Sequence, residues 1–144
     1  MPDKRAANEL ASKRVLAVDD AEGMLEVLEG FLEEIGFGTV YTASSGAAAL
    51  ERLQAVDGKV DLIVTDIRMP EMNGYEFIRR VRLGAVPACK DVPILILTGY
   101  YSEDDRRQAR LHRIQSYVLK PPTIDVVETE VRSVLGLARR PIYR

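Results

Sequence analysis

The stretch that decides the fold is Val60-Asp-Leu-Ile-Val-Thr65 running directly into Asp66-Ile-Arg-Met-Pro-Glu-Met-Asn-Gly74. A short, largely apolar run reads as a strand buried on both faces. It stops at an acid, passes through a segment marked as a turn by Pro70 and Asn73-Gly74, and gives way to helical spacing, with Phe77, Ile78 and Val81 on one face. A strand that ends on a carboxylate and returns through a helix is one β-then-α unit.

Working outward, the same unit recurs on both sides. Val15-Leu16-Ala17-Val18 is a strand, followed by Met24, Leu25, Leu28, Phe31, Leu32 and Ile35 at helical spacing and by Gly36 and Gly38 as punctuation. Thr39 to Thr42 is a short strand, and Ala47 to Leu53 a second helix. Beyond Gly74, the segment Gly84 to Val92 reads as a loop holding Pro87 and Cys89, and Ile94-Leu95-Ile96-Leu97 as a fourth strand. Ser102 is placed to cap the next helix, with Asp105 three residues on. Ser116 to Leu119 is a fifth strand, and Val127, Val131, Val134 and Leu135 stripe a last helix. Five such units in series predict an α/β fold in which right-handed crossovers place helices on both faces of a parallel sheet.

The 144 residues, 47% apolar and 29% charged, suit one globular domain with a real core. Residues 13–138 are expected to form that domain, between a polar N-terminal tail at 1–12 and a C-terminal tail at 139–144. A net charge of −2 gives no electrostatic case for direct nucleic-acid or anionic-membrane partners. The single cysteine rules out an internal disulfide. The start lacks a signal-peptide apolar stretch, and no apolar run approaches a membrane span, so the expected setting is the cytoplasm.

In an open α/β sheet, ligands gather beyond the carboxyl ends of the strands. Asp19 and Asp20 follow the first strand, Asp66 the third, Thr98 the fourth and Lys120 the fifth. Three carboxylates against one ammonium repel one another, and a divalent cation cancels the excess. Hard oxygen donors with no His or Cys beside them favour Mg²⁺, with Mn²⁺ as a substitute. Such a pocket suits phosphoryl transfer: an aspartate is a nucleophile able to form an acyl phosphate, lysine pairs with phosphoryl oxygens, and threonine donates a hydrogen bond. Gly99 leaves the backbone open beside Thr98.

Asp19-Asp20, the stretch Asp66 to Gly74, Thr98-Gly99 and Tyr117-Val-Leu-Lys120-Pro121, each at a strand end and in this order, resemble the receiver domains of two-component response regulators, including single-domain chemotaxis regulators. The resemblance covers about residues 13–138. It implies a flavodoxin-like doubly wound (βα)5 sandwich with strand order 2-1-3-4-5. It implies that Asp66 accepts the phosphoryl group, and that Asp19, Asp20, Asp66 and the backbone carbonyl of Arg68 hold Mg²⁺. Thr98 is then the switch hydroxyl, Lys120 the phosphate-pairing lysine and Tyr117 the aromatic switch, with a cis Lys120–Pro121 bond. Arg68 and Tyr100, two residues past Asp66 and Thr98, are placed to modulate phosphate lifetime. The partners implied are a sensor histidine kinase or histidine phosphotransfer protein, and an output protein docked on the face made by the fourth helix, fifth strand and fifth helix. Only seven residues follow Leu137, so output is expected through protein contact or phosphoryl relay. The domain catalyses only its own phosphorylation and dephosphorylation.

Two other functions share parts of this pattern. A phosphohydrolase of the haloacid-dehalogenase type also uses an aspartyl nucleophile with Mg²⁺, but wants a second acid where Arg68 stands. A flavin binder wants a glycine- or hydroxyl-rich loop where Asp19-Asp20 stands. Each candidate also has a plainer reading: the acids as helix caps, Thr98 and Tyr117 as ordinary strand residues, Cys89 as an incidental loop thiol, and His112 as a solvated residue. Arg106, Arg107, Arg110 and Arg113 read as a solvated helix face or, more sharply, as a partner surface.

Overall fold

A computed structural model describes residues 9–138. Five strands, β1 (Arg14–Val18), β2 (Thr39–Ala43), β3 (Leu62–Thr65), β4 (Ile94–Thr98) and β5 (Ser116–Leu119), form one sheet in the order β2-β1-β3-β4-β5. Every pairing is parallel. The helices between them are α1 (Glu22–Ile35), α2 (Gly46–Ala55), α3 (Gly74–Arg82), α4 (Glu103–His112) and α5 (Ile124–Val134). This is the flavodoxin-like order expected from the sequence. β3 begins at Leu62 rather than Val60, whose N–H is spent within the preceding turn on the Gly58 carbonyl at 2.9 Å.

Side chains of consecutive strand residues point to opposite faces, and the sheet therefore divides its core in two. Leu16, Val18, Ile63, Ile94 and Ile96 pack under α2 and α3 with Ala49, Leu53, Phe77, Ile78 and Val81. Val15, Ala17, Leu62, Val64, Leu95 and Leu97 pack against α1 and α5 with Leu28, Leu32, Ile35, Val127 and Val131. Each fully buried Leu or Ile contributes about 1.5–3 kcal/mol.

Local signals set the helix ends. Ser45, Asn73 and Thr123 cap α2, α3 and α5 by accepting a hydrogen bond from a first-turn N–H. Ser102 and Asp105 form the expected reciprocal capping box on α4. α1 stops at Gly36, whose φ of 123° a side chain would resist.

Two expectations change. Leu10, assigned to a polar tail, is fully buried in the α1–α5 core, and residues 9–11 are helical. One large apolar residue in a stretch of small, polar and charged ones gives no periodic signal. The rest of the expected tails, 1–8 and 139–144, lies outside the described residues. Cys89 is buried in a 3₁₀ turn (Pro87–Cys89), its Sγ 3.4 Å from the Val86 carbonyl, rather than lying in an open loop.

Candidate functional site

Parallel register brings the strand ends level. Val18 pairs with Thr65, and Thr98 with Leu119, so the next residues of β1, β3 and β5 (Asp19, Asp66 and Lys120) gather at one edge of the sheet with Thr98. Backbone bonds fix the approach. The Asp66 N–H donates to the Val18 carbonyl at 3.0 Å, and the Lys120 N–H to the Thr98 carbonyl at 2.8 Å. Gly74 closes the turn by donating to the Ile67 carbonyl at 2.7 Å. A Cβ on Gly74 would stand 2.2 Å from the Asp66 carbonyl oxygen, so no larger residue fits without moving the acid.

Asp19 and Asp66 are buried and Asp20 is exposed. One ligand oxygen from each lies within 4.8 Å of the others. The Lys120 ammonium bridges the two buried acids, 2.8 Å from Asp19 Oδ2 and 3.1 Å from Asp66 Oδ2. Burial would lower its pKa, but hydrogen bonds and charge from Asp19 and Asp66 outweigh that and raise it, so the lysine stays cationic. The second oxygens are held by backbone: Asp19 Oδ1 accepts from Ala21 at 2.9 Å and Asp66 Oδ1 from Ile67 at 2.7 Å. The Lys120–Pro121 bond is cis, as expected.

Thr98 is fully buried, and its Oγ1 is the single buried side-chain polar atom without a partner among the described residues. An orphaned hydroxyl there is costly unless something comes to accept from it. An all-oxygen donor set with a net negative charge, no imidazole or thiolate, and an orphaned donor fits a hard divalent cation together with an anionic oxygen group.

The family model for the response regulator receiver domain matches residues 15–132. The chain belongs to that family. The receiver is 33% identical over 124 residues to a chemotaxis protein, CheY1, of Helicobacter pylori, covering 85% of this chain and 97% of the relative. It is 31% identical over 121 residues to the CheY chemotaxis protein of Pseudomonas aeruginosa, covering 84% and 94%. Among solved structures it is similar to the chemotaxis protein CheY4 of Vibrio cholerae, at 30% identity and a TM-score of 0.78, covering 85% of this chain and 98% of that one. The chain thus carries a response-regulator receiver domain of two-component signalling, with an acidic pocket compatible with Mg²⁺. No helix among the described residues is long and apolar enough to cross a membrane.

Arg68 and Tyr100, two residues past Asp66 and Thr98, are both exposed, and the Arg68 guanidinium lies 5.5 Å from the centre of the Tyr100 ring. That is cation–π distance, so the two form a pair rather than two independent side chains. Tyr117 is half-buried on β5, with its ring edge-on to Tyr101 at 4.7 Å and its hydroxyl 3.0 Å from the Asp105 carbonyl. Arg106, Arg107, Arg110 and Arg113 are exposed. His112 departs from the solvated reading. It is partly buried, stacked at 6.2 Å on Tyr75 and paired with Gln108 at 3.0 Å. Burial, then the charges of Arg79 and Arg82, lower its pKa. Sequence reasoning missed Tyr75, which joins Asp105 and Tyr117 across 30 and 42 residues of chain, a separation no local pattern encodes.

Proposed function

We propose that this receiver takes a phosphoryl group onto Asp66 from a histidine kinase or a histidine phosphotransfer protein, in a Mg²⁺-dependent reaction. The observation that carries this is the Lys120 bridge between Asp19 and Asp66 beside the unpartnered Thr98 hydroxyl. Asp19, Asp20, Asp66 and the Arg68 carbonyl are the groups that would hold the cation, which when bound neutralises charge on the phosphoryl oxygens.

An Asp66 carboxylate oxygen forms the bond to phosphorus as the donor's phosphorus–nitrogen bond breaks, and the freed imidazole keeps the electron pair and takes up a proton. Lys120 then pairs with one phosphoryl oxygen and Thr98 donates to another. Loss is hydrolysis: water attacks phosphorus, inorganic phosphate leaves, and the Asp66 carboxylate is restored. The Arg68–Tyr100 pair narrows the line along which that water arrives. The receiver catalyses nothing beyond this gain and loss.

Thr98, drawn toward the phosphoryl group, vacates space that Tyr117 enters. The signal leaves through the face of α4, β5 and α5, where Arg106, Arg107 and Arg110 flank Leu111 and Leu119, 67% and 56% exposed. An output protein bound there shifts the switch only by its differential affinity for the two states.

Intact-mass measurement after incubation with acetyl phosphate and Mg²⁺ tests this. One phosphoryl group should appear on the wild type, and none on Asp66→Asn or after chelation of the metal. Undiminished labelling of Asp66→Asn overturns the assignment.

A further inference from the structure

A three-residue hydrogen-bonded cluster lies between α3, α4 and β5, outside the phosphoacceptor pocket. The Tyr75 hydroxyl, on the first turn of α3, is hydrogen-bonded to the Asp105 carboxylate on α4. It also lies 2.9 Å from the Tyr117 hydroxyl, which is 3.0 Å from the Asp105 carbonyl oxygen. A phenol has one proton to give. Tyr75 spends its proton on the carboxylate, so it can only accept from Tyr117, whose single proton is shared between Tyr75 and the Asp105 carbonyl.

The Asp105 carboxylate is held in place from the other side. Its Oδ2 accepts from the Ser102 N–H at 2.7 Å and hydroxyl at 2.9 Å. The Tyr75 ring is steadied by the stacked His112 imidazole. Asp105 is the sole buried residue of α4. The cluster therefore fixes both the Tyr117 hydroxyl and the start of α4, and Tyr117 cannot turn its ring toward Thr98 without giving up both of its hydrogen bonds.

We propose that Tyr75 is a positioning residue that latches Tyr117 against α4, opposing the inward turn that follows phosphorylation. The inference rests on the phosphoacceptor reading above. Its chemistry is one phenol hydroxyl, so Tyr75→Phe removes it while keeping the ring.

The test is a double-mutant cycle on the full chain, using Tyr75→Phe, Tyr117→Phe and both together, titrated with beryllofluoride in Mg²⁺ and followed by amide shifts. Tyr75→Phe should bind beryllofluoride roughly threefold to tenfold more tightly, the size of one lost hydrogen bond. In the Tyr117→Phe background the same substitution should do nothing, because the latch has no second hydroxyl to hold. Unchanged or weaker binding, or equal tightening in both backgrounds, overturns the latch. A wild type indifferent to beryllofluoride would instead sink the phosphoacceptor reading. In that event the fluorine signal of 3-fluorotyrosine at Tyr117 still decides the latch, which falls if that signal is the same in Tyr75→Phe and wild type without any ligand.

Discussion

Helices α1 and α5 are held to the sheet by different physics from helix α4. On the α1–α5 side, helix meets sheet through Leu28, Leu32, Ile35, Val127 and Val131, with Leu10 tucked beneath. Two charges are buried there, Arg132 and Glu128, 3.2 Å apart, and Arg132 also pairs with Glu9 at 3.3 Å. At the α3–α4 joint, α4 buries only Asp105, and it is attached by hydrogen bonds from Tyr75, Tyr117 and Arg82 and by a partly buried imidazole stack. Apolar burial scales with area and is lost gradually as surfaces part, whereas a hydrogen bond of about 1 kcal/mol net can be exchanged for another at small cost. In the proposed switch, α4 is therefore the element joined by exchangeable bonds, and α1 and α5 serve as the fixed frame.

The largest expected effect tests the frame. Leu32→Ala should lower stability by about 3 kcal/mol through lost burial and the cavity left behind. Leu111→Ala on α4, where the leucine is 67% exposed, should stay within about 0.5 kcal/mol. Urea unfolding with matched m-values measures both. Comparable losses would mean that α4 is packed as firmly as α1 and that the contrast is false.

Next comes the joint itself. The Arg82 guanidinium donates to four backbone carbonyls: Lys90 at 2.9 Å, Val92 at 2.7 Å, His112 at 2.9 Å and Arg113 at 3.0 Å. It thus closes the end of α4, where Arg113 adopts a left-handed φ of 54°. Truncation frees four carbonyls that water can partly satisfy, so Arg82→Ala should cost about 2 kcal/mol. Arg82→Lys should recover little, because one ammonium cannot reproduce a planar fork. Hydrogen exchange should quicken at the end of α4 and leave α1 untouched. Uniform quickening through both helices would place Arg82 in the frame instead.

This contrast also marks what the sequence could say. Continuous apolar strands and helical stripes announce burial, so all five β-then-α units and the carboxylate end of the sheet were readable, and with them Asp19, Asp20, Asp66, Thr98 and Lys120. The capping box at Ser102 was readable because its partners are three residues apart. Arg82 carried no signal in the sequence, since its four acceptors are backbone groups with no side-chain signature. Tyr75 was missed, and His112 read as solvated, because the two meet across the α3–α4 joint. Leu10 was lost in a polar segment for the same reason: its neighbours are α1 and α5, not its own flanks.

The smallest effect concerns ionisation at the joint. Burial, then the charge of Asp105 with Tyr101 and Asp104, pushes the Tyr117 phenol up from 10.0 to about 12. The folded form thus holds its proton at a pH where the unfolded chain has released it. Stability from this group is complete below pH 10.0 and drains away as pH rises toward about 12. Lys120, Tyr75 and Cys89, whose pKa values are also raised, add losses of the same sign in alkali, so wild-type melting alone does not isolate Tyr117. Tyr117→Phe keeps all three and removes the Tyr117 phenol. Its melting temperature should fall less steeply above pH 10.0 than that of the wild type, while the two run parallel below it. Parallel curves through the alkaline range would show that the Tyr117 hydroxyl is as well solvated in the folded receiver as in the unfolded chain, and the joint would lose its claim to hold that phenol in a defined, dry position.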